Sequence, residues 1–399
     1  MISSSDILNA MKAFENDLIA IRRQIHAHPE LGFEEHRTAT LVASKLKEWG
    51  IEVTEGIGRT GVVGTLRGNR SGNRSIALRA DMDALPLIEK TGLPYASTVT
   101  GKMHACGHDG HTTMLLGAAR YLSENRDFAG MVHFIFQPAE EGLGGGRLMV
   151  EEGLFDRFPA DAVYGMHNEP GRPVGEFGLR PGPFLAASDT WQVTFIGTGG
   201  HGGAAPHLAT DPTIPAAQFI LAAQAIVGRN ISALEPSVIS VGHIAAGAEG
   251  APNIIPDTVV VKGTARSYSP AVRDTIERRL AEVSEGLAAT HGCRAEPVYV
   301  RRYPPLINDA EATAKAVRAA SDIVGRDKID DDSVRQTGAE DFSFMLEARP
   351  GAMIMIGNGR NDDGSFHFVH TPHYDFNDEI ITLGAAYWVS LVQQELSAP

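Results

Sequence analysis

Cysteine is nearly missing from this sequence: 399 residues include only Cys106 and Cys293. A disulfide framework is excluded as the source of stability, and so sparse a count fits a reducing compartment. Positive charge is scarce as well, with 35 Lys and Arg against 49 Asp and Glu and a formal net charge of -14. Nucleic-acid binding needs clustered Lys and Arg, so no nucleic-acid partner is expected, and an anionic membrane surface fits as poorly. Long apolar runs are lacking too. The longest, residues 214–227, is broken by Gln218 and Gln224 and is too short to span a bilayer. Residues 1–9 are polar, without a basic start followed by an apolar core, so no export signal is expected and the chain reads as cytoplasmic.

What is present is a globular composition, 43% hydrophobic and 21% charged, over a length that favours two domains. Ile7, Met11, Phe14, Leu18, Ile21 and Ile25 recur at helical spacing until Pro29, and a second helix is expected over about 34–49, ending at Gly50. Short β-rich runs follow at 61–66, 75–80, 131–136 and 162–166, separated by helical stretches near 110–123 and 145–152. The last three runs are almost continuously apolar, as in strands buried on both faces of a parallel sheet. From 191 to 301 the order changes to strand, helix, strand, strand, helix, strand, that of a ferredoxin-like unit. The expected fold is therefore α/β. A discontinuous catalytic domain (1–186 and 302–399) with a mainly parallel sheet flanked by helices is interrupted by a ferredoxin-like α+β domain (187–301).

Candidate ligands fall near the ends of successive strands: Asp81 and Asp83 after 75–80, Glu140 and Glu141 after 131–136, and His167 after 162–166. In open parallel sheets those ends form the ligand crevice. The densest element is His104-Ala105-Cys106-Gly107-His108-Asp109-Gly110-His111. Cys106 and His108 are two apart, so an extended backbone turns both to one side, and a thiolate with an imidazole suits a borderline-soft divalent metal. The plainer reading is a helix start with Asp109 as its N-cap. A nucleophilic Cys106 lacks an evident Asn or Asp partner. Glu140 and Glu141, if extended, point in opposite directions, so one can bind metal while the other acts as general base. The plainer reading there is a solvated acidic pair at a helix N-terminus.

Five motifs together resemble the aminoacylase and carboxypeptidase clan of dinuclear metallohydrolases. They are Arg22-Arg23 with His26 and His28-Pro29-Glu30-Leu31, Asp81-Met82-Asp83-Ala84-Leu85-Pro86, His104 through His111, Gln137-Pro138-Ala139-Glu140-Glu141-Gly142, and Gly338-Ala339-Glu340-Asp341-Phe342. The branch they are most similar to holds hippurate hydrolases, N-acyl-L-amino acid amidohydrolases, N-acetyldiaminopimelate deacetylases and auxin-conjugate hydrolases. The resemblance implies a bridging Cys106, further metal ligands His108, Glu141, His167 and His370, and Glu140 as base. It favours His370 over the nearby His373, and it makes Asp83 the carboxylate that orients an imidazole. Asp81 stands where other branches have a His ligand. In the inserted domain it implies that His201, rather than His207, reaches the active site of a partner subunit, and that Asn253 and Arg266 lie near the substrate carboxylate. The expected cofactors are two divalent ions of zinc, manganese, nickel or cobalt, the substrate a small N-acyl amino acid, and the assembly a homodimer. Rival readings are a dipeptidase or carboxypeptidase, a catalytically silent binding protein, and a dehydrogenase, which lacks its Gly-x-Gly-x-x-Gly signature.

Overall fold

The computed structural model describes residues 4–361 and 363–397. The first residues of the polar N-terminal segment and the last two of the expected third segment lie outside them. The chain divides into two compact units. The first comprises Met1–Gly182, Ile307–Val334 and Asp341–Pro399, and the second comprises Pro183–Leu306 with Arg335–Glu340.

The first unit opens with helices α1 (Ser4–His26) and α2 (His36–Glu48). Then come β1 (Glu52–Ile57), β2 (Gly61–Arg67), β3 (Arg70–Asp81), α3 (His108–Glu124), β4 (Ala129–Gln137), α4 (Gly145–Glu151), β5 (Ala162–Pro170) and β6 (Phe177–Gly178). The second unit holds β7 (Ala187–Ile196), α5 (Thr213–Arg229), β8 (Ser237–Ala246), β9 (Thr258–Ser267), α6 (Pro270–Thr290) and β10 (Arg294–Tyr303). The first resumes with α7 (Ala310–Val324), β11 (Ile329–Asp330), β12 (Gly351–Gly359) and α8 (Ile381–Glu395).

Eight strands of the first unit form one sheet in the order β1-β2-β4-β3-β5-β12-β6-β11. Its centre, β4-β3-β5-β12, is parallel, while β1, β2 and the β12–β6 contact are antiparallel. The sheet is thus mixed, where a mainly parallel one was expected. The antiparallel margin arises because β1 and β2 are joined by a short turn, which permits only a hairpin. The centre follows the apolar runs: β4 is buried along nearly its whole length, as a strand covered on both faces must be. Helices α1, α3 and α8 pack together on this sheet, with Met11, Leu18, Leu115, Ala119, Trp388 and Val392 in one hydrophobic core.

The second unit has a four-stranded antiparallel sheet in the order β8-β9-β7-β10, with α5 and α6 in the connections. Its core is a separate cluster around Trp191, Phe195, Phe219, Val261 and Ile276. Helix α6 starts cleanly: Ser269 Oγ accepts from the amide of Val272, and Pro270 occupies the first turn.

Candidate metal centre

Because β3, β4 and β5 are adjacent and parallel, their carboxyl ends lie side by side and bring Asp81, Gln137 and His167 to one rim. His167 lies within β5 and not beyond it, since pairing with β12 extends that strand to Pro170.

Cys106 and His108 come together by a route other than an extended backbone. Gly107 sits in the left-handed region (φ 99, ψ 11) and caps α3, which begins at His108. A residue without Cβ is needed there, as an added Cβ would meet Asn168 Oδ1 at 2.3 Å. Asp109 is therefore inside the first turn and is not the N-cap. It is buried, and its Oδ2 pairs with His26 Nδ1 at 2.8 Å. The Glu140-Glu141 pair is likewise a turn, entered through Ala139 at φ 52. The turn carries both carboxylates toward His108, with ligand atoms of His108, Glu140 and Glu141 within 4.8 Å of one another. The two side chains are not opposed there, because the backbone is not extended.

Among the described residues four further groups meet the same 4.8 Å criterion: Asp81 with His108 and His111, Glu140 with Glu340 and Asp341, and two that contain Cys106, with His108 and His167 and with Glu141 and His370. Cys106 is common to the last two. Its Sγ lies 3.4 Å from His167 Nε2, and His370 Nε2 lies 3.1 Å from Glu141 Oε1. His370 adopts φ 64, a conformation that costs a non-glycine residue about 1–3 kcal/mol. Its amide donates to Ala105 O at 2.7 Å, which holds it there. His373 lies apart from these groups. It lines a neighbouring cavity of about 330 Å³ together with Tyr95, His367 and Asp375.

Behind the ligand candidates stands a layer of buried partners. Asp83 Oδ1 lies 3.2 Å from His108 Nδ1 and accepts from the amide of Glu140 at 3.0 Å, while Oδ2 accepts from that of Glu141 at 2.9 Å. A carboxylate at Nδ1 holds the proton there and leaves Nε2 its lone pair. His167 is fixed the same way, with Nδ1 donating to Asn168 O at 2.7 Å. Other partners were not read from the sequence. His111 bridges Asp81 Oδ1 and Asn168 Oδ1, both at 2.7 Å. Arg79 joins Asp81 Oδ2 (2.8 Å) to Asp341 Oδ1 (3.1 Å), and the Asp341 amide donates to Glu140 Oε1 at 3.3 Å. The available signal was an arginine inside an otherwise apolar strand.

The electrostatics fit a cation. Burial opposes the charged form of His108, yet Asp81 and Asp83 raise its pKa to about 10. His167 is held well below the usual range, first by burial and then by the neighbouring His111. His108 Nε2 is buried without a hydrogen bond and faces Asp81 Oδ2 at 3.7 Å. Glu141 Oε1 is also buried, and its contact with His370 lacks hydrogen-bond alignment. Unpaired buried donors and acceptors of this kind are costly unless something else meets them, and a thiolate, imidazoles and a carboxylate form a transition-metal donor set.

The other expected residues belong to the second unit. His201 is exposed in a two-residue strand paired with Ile254, and its Nδ1 accepts from the amides of Gly203 (3.3 Å) and Ala204 (3.1 Å). Asn253 is adjacent, its carbonyl accepting from Gly202 N at 2.8 Å. Arg266 lies toward the other end of β9, its Nη1 donating to Thr264 Oγ1 at 2.6 Å.

A family model described as peptidase family M20/M25/M40 matches residues 77–394. A hippurate hydrolase of Campylobacter jejuni is 41% identical over 391 residues, covering 98% of this chain and 98% of its own length. An N-acetyl-L-cysteine deacetylase of Bacillus subtilis is 42% identical over 380 residues, covering 95% of this chain and 88% of its own. A solved Bacillus subtilis structure, described as a dinuclear metal binding peptidase of the M20 family, has a TM-score of 0.84 at 34% identity. It covers 97% of this chain and 100% of that one.

Proposed function

The chain belongs to peptidase family M20/M25/M40, and on that premise we propose that it is a metal-dependent amidohydrolase cleaving N-acyl amino acids to a carboxylic acid and a free amino acid. The observation that carries the reading is the sharing of Cys106 by two ligand groups. Cys106, His108 and His167 would hold one divalent ion, and Cys106, Glu141 and His370 the second. The thiolate and three imidazoles favour zinc, nickel or cobalt, and manganese is compatible where it is abundant. Ions bound there would supply Lewis-acid polarisation of the scissile carbonyl and a lowered pKa for the attacking water.

The remaining work falls to the chain. Glu140, oriented by the Asp341 amide, takes a proton from the attacking water and delivers it to the leaving amine. Asp83 keeps His108 in its ligating tautomer. His201 donates from Nε2 to the tetrahedral oxyanion, because the loop amides occupy Nδ1. Asn253 and Arg266 bind the substrate carboxylate.

His201 acts in trans within a homodimer. Strand β9 separates the His201–Asn253 corner from Arg266 by roughly 26 Å at about 3.3 Å per residue, more than a small substrate spans. On these roles, the His201–Asn253 corner and the Arg266 that meet one substrate come from two different copies of the second unit. Residues 187–301 serve as the dimerisation and lid domain. Strand β8 is an edge of that sheet and exposes Val238 and Ile244, while α5 exposes Leu221, a surface suited to two-fold pairing. The cytoplasm fits as the working compartment, since Cys106 must remain a free thiol.

The peptidase description of the solved relative favours a second reading, cleavage of free dipeptides. A panel of N-acetyl, N-benzoyl and long-chain acyl amino acids beside the matching dipeptides separates the two. Hydrolysis confined to the acylated compounds is expected, and hydrolysis confined to free dipeptides would overturn the amidohydrolase reading.

A further inference from the structure

The motif around Arg22 has no part in the chemistry above, yet its side chain is fully buried. Three carboxylates meet its guanidinium. Asp109 Oδ2 lies 3.3 Å and Asp375 Oδ1 3.0 Å from Nη1, and Asp378 Oδ1 lies 2.8 Å from Nε. Asp109 follows His108 in the first turn of α3. Asp375 and Asp378 close the loop that begins at His370. That loop is tied at its start by the His370 amide on Ala105 O at 2.7 Å, and at its end by Arg22. Tyr95 Oη braces the same end, donating to Asp375 Oδ2 at 2.6 Å.

A buried ionic cluster is an expensive way to join a loop to a helix, since apolar packing would do it without desolvating charge. What it adds is geometry. A guanidinium is a planar fork of five donors and can hold several carboxylates in fixed directions, which an ammonium cannot. We propose that Arg22 is a positioning residue: it sets the His370 loop against the start of α3 and so closes the Cys106–Glu141–His370 group. The proposal rests on the two-ion reading. It also predicts an asymmetry. Asp109 keeps a second buried partner in His26 at 2.8 Å; the Asp375–Asp378 end of the loop is held by Tyr95 on Asp375, by Asn358 Nδ2 on the Asp375 carbonyl at 3.1 Å, by the exposed Arg23 on Asp378 and by Arg22, and of these Arg22 is the one that also reaches Asp109. Loss of Arg22 therefore weakens the His370 ion and spares the His167 ion.

The test is a titration of chelator-stripped, full-length protein with cobalt(II) alone, following the thiolate-to-cobalt charge-transfer band. Circular dichroism and the thermal midpoint are recorded on the same samples. Wild type takes up two ions per chain. Arg22→Lys keeps one at wild-type affinity and binds the other roughly ten- to a hundredfold more weakly, the usual size of a supporting contact. Asp375→Asn leaves Asp109 and Asp378 on Arg22, so it preserves the fold and shows the same selective weakening at smaller size. Two ions at wild-type affinity in the folded variants would overturn the proposal, as would an equal weakening of both. Uptake of a single ion by wild type would instead overturn the two-ion reading, and this inference with it.

Discussion

In the first unit His108 and His167 are each backed on Nδ1, by Asp83 and by the Asn168 carbonyl, whereas in the second His201 stands exposed, its Nδ1 accepting from amides of its own loop. Asp83 by itself accepts from three groups, His108 at the start of α3 and the amides of Glu140 and Glu141 in the turn after β4. The left-handed His370 and Ala139 of the first arrangement are held by their amides, His370 on Ala105 O at 2.7 Å and Ala139 on Glu35 Oε1 at 2.8 Å. The second offers a donor with nothing opposite it in its own unit. On the proposed roles, the binding of ions and the stabilisation of charge belong to separate parts of the chain and should fail separately.

Four experiments press on that separation, in decreasing order of expected effect. Glu140→Gln removes the base but no ligand, so metal content stays at the wild-type level while kcat falls roughly 10²- to 10⁴-fold. If the Glu140 variant loses metal and a Glu141→Gln variant keeps it, the two roles are exchanged. His201→Ala should also keep its metal and lose about 10²- to 10³-fold in kcat. Mixed with Glu140→Gln under subunit exchange, it should regain a sizeable fraction of activity. Confirmed exchange without any gain would place the action of His201 within its own chain or nowhere. Asp83→Ala is the reverse case: metal affinity should drop about 10- to 100-fold, measured by competition with a chelator, because His108 loses its orienting partner. Unchanged affinity would remove Asp83 from the account.

The smallest effect concerns stability. Burial alone would lower the pKa of His26, but its bond to Asp109 raises it to about 9. A raised pKa means that the charged form stabilises the fold. That contribution is complete below about pH 6.5 and is lost as the pH rises through 9. The thermal midpoint of metal-free protein should therefore decline between those values, and His26→Gln should flatten the decline. An equally steep decline in the variant would assign it to other groups.

Much of the fold could be read from local pattern. Strands 131–136 and 162–166 are apolar runs, and the alternation of strands with helices implies adjacent parallel neighbours whose ends converge. The site was legible where chemistry is local, as at Cys106 and His108. The backbone that joins them was not, because a left-handed Gly107 and a helix beginning at His108 leave no mark in residue spacing. The supporting layer was the least legible part. Arg79 meets Asp341, and Arg22 meets Asp375, across most of the chain length, and no periodicity carries a contact of that range. A charged residue in an apolar strand, such as Arg79, signals only that a partner exists.

Metal stoichiometry measured alongside turnover decides whether a two-ion centre built on Cys106 hydrolyses N-acyl amino acids. Chelator-stripped protein is reconstituted stepwise with zinc or manganese, and ions per chain and hydrolysis of an N-acetyl amino acid are recorded at each step. Activity that appears with occupancy, two ions per chain at saturation, and joint loss of metal and turnover in Cys106→Ser are the predicted results. Full turnover by the stripped protein, or wild-type metal content and activity in Cys106→Ser, would contradict the account.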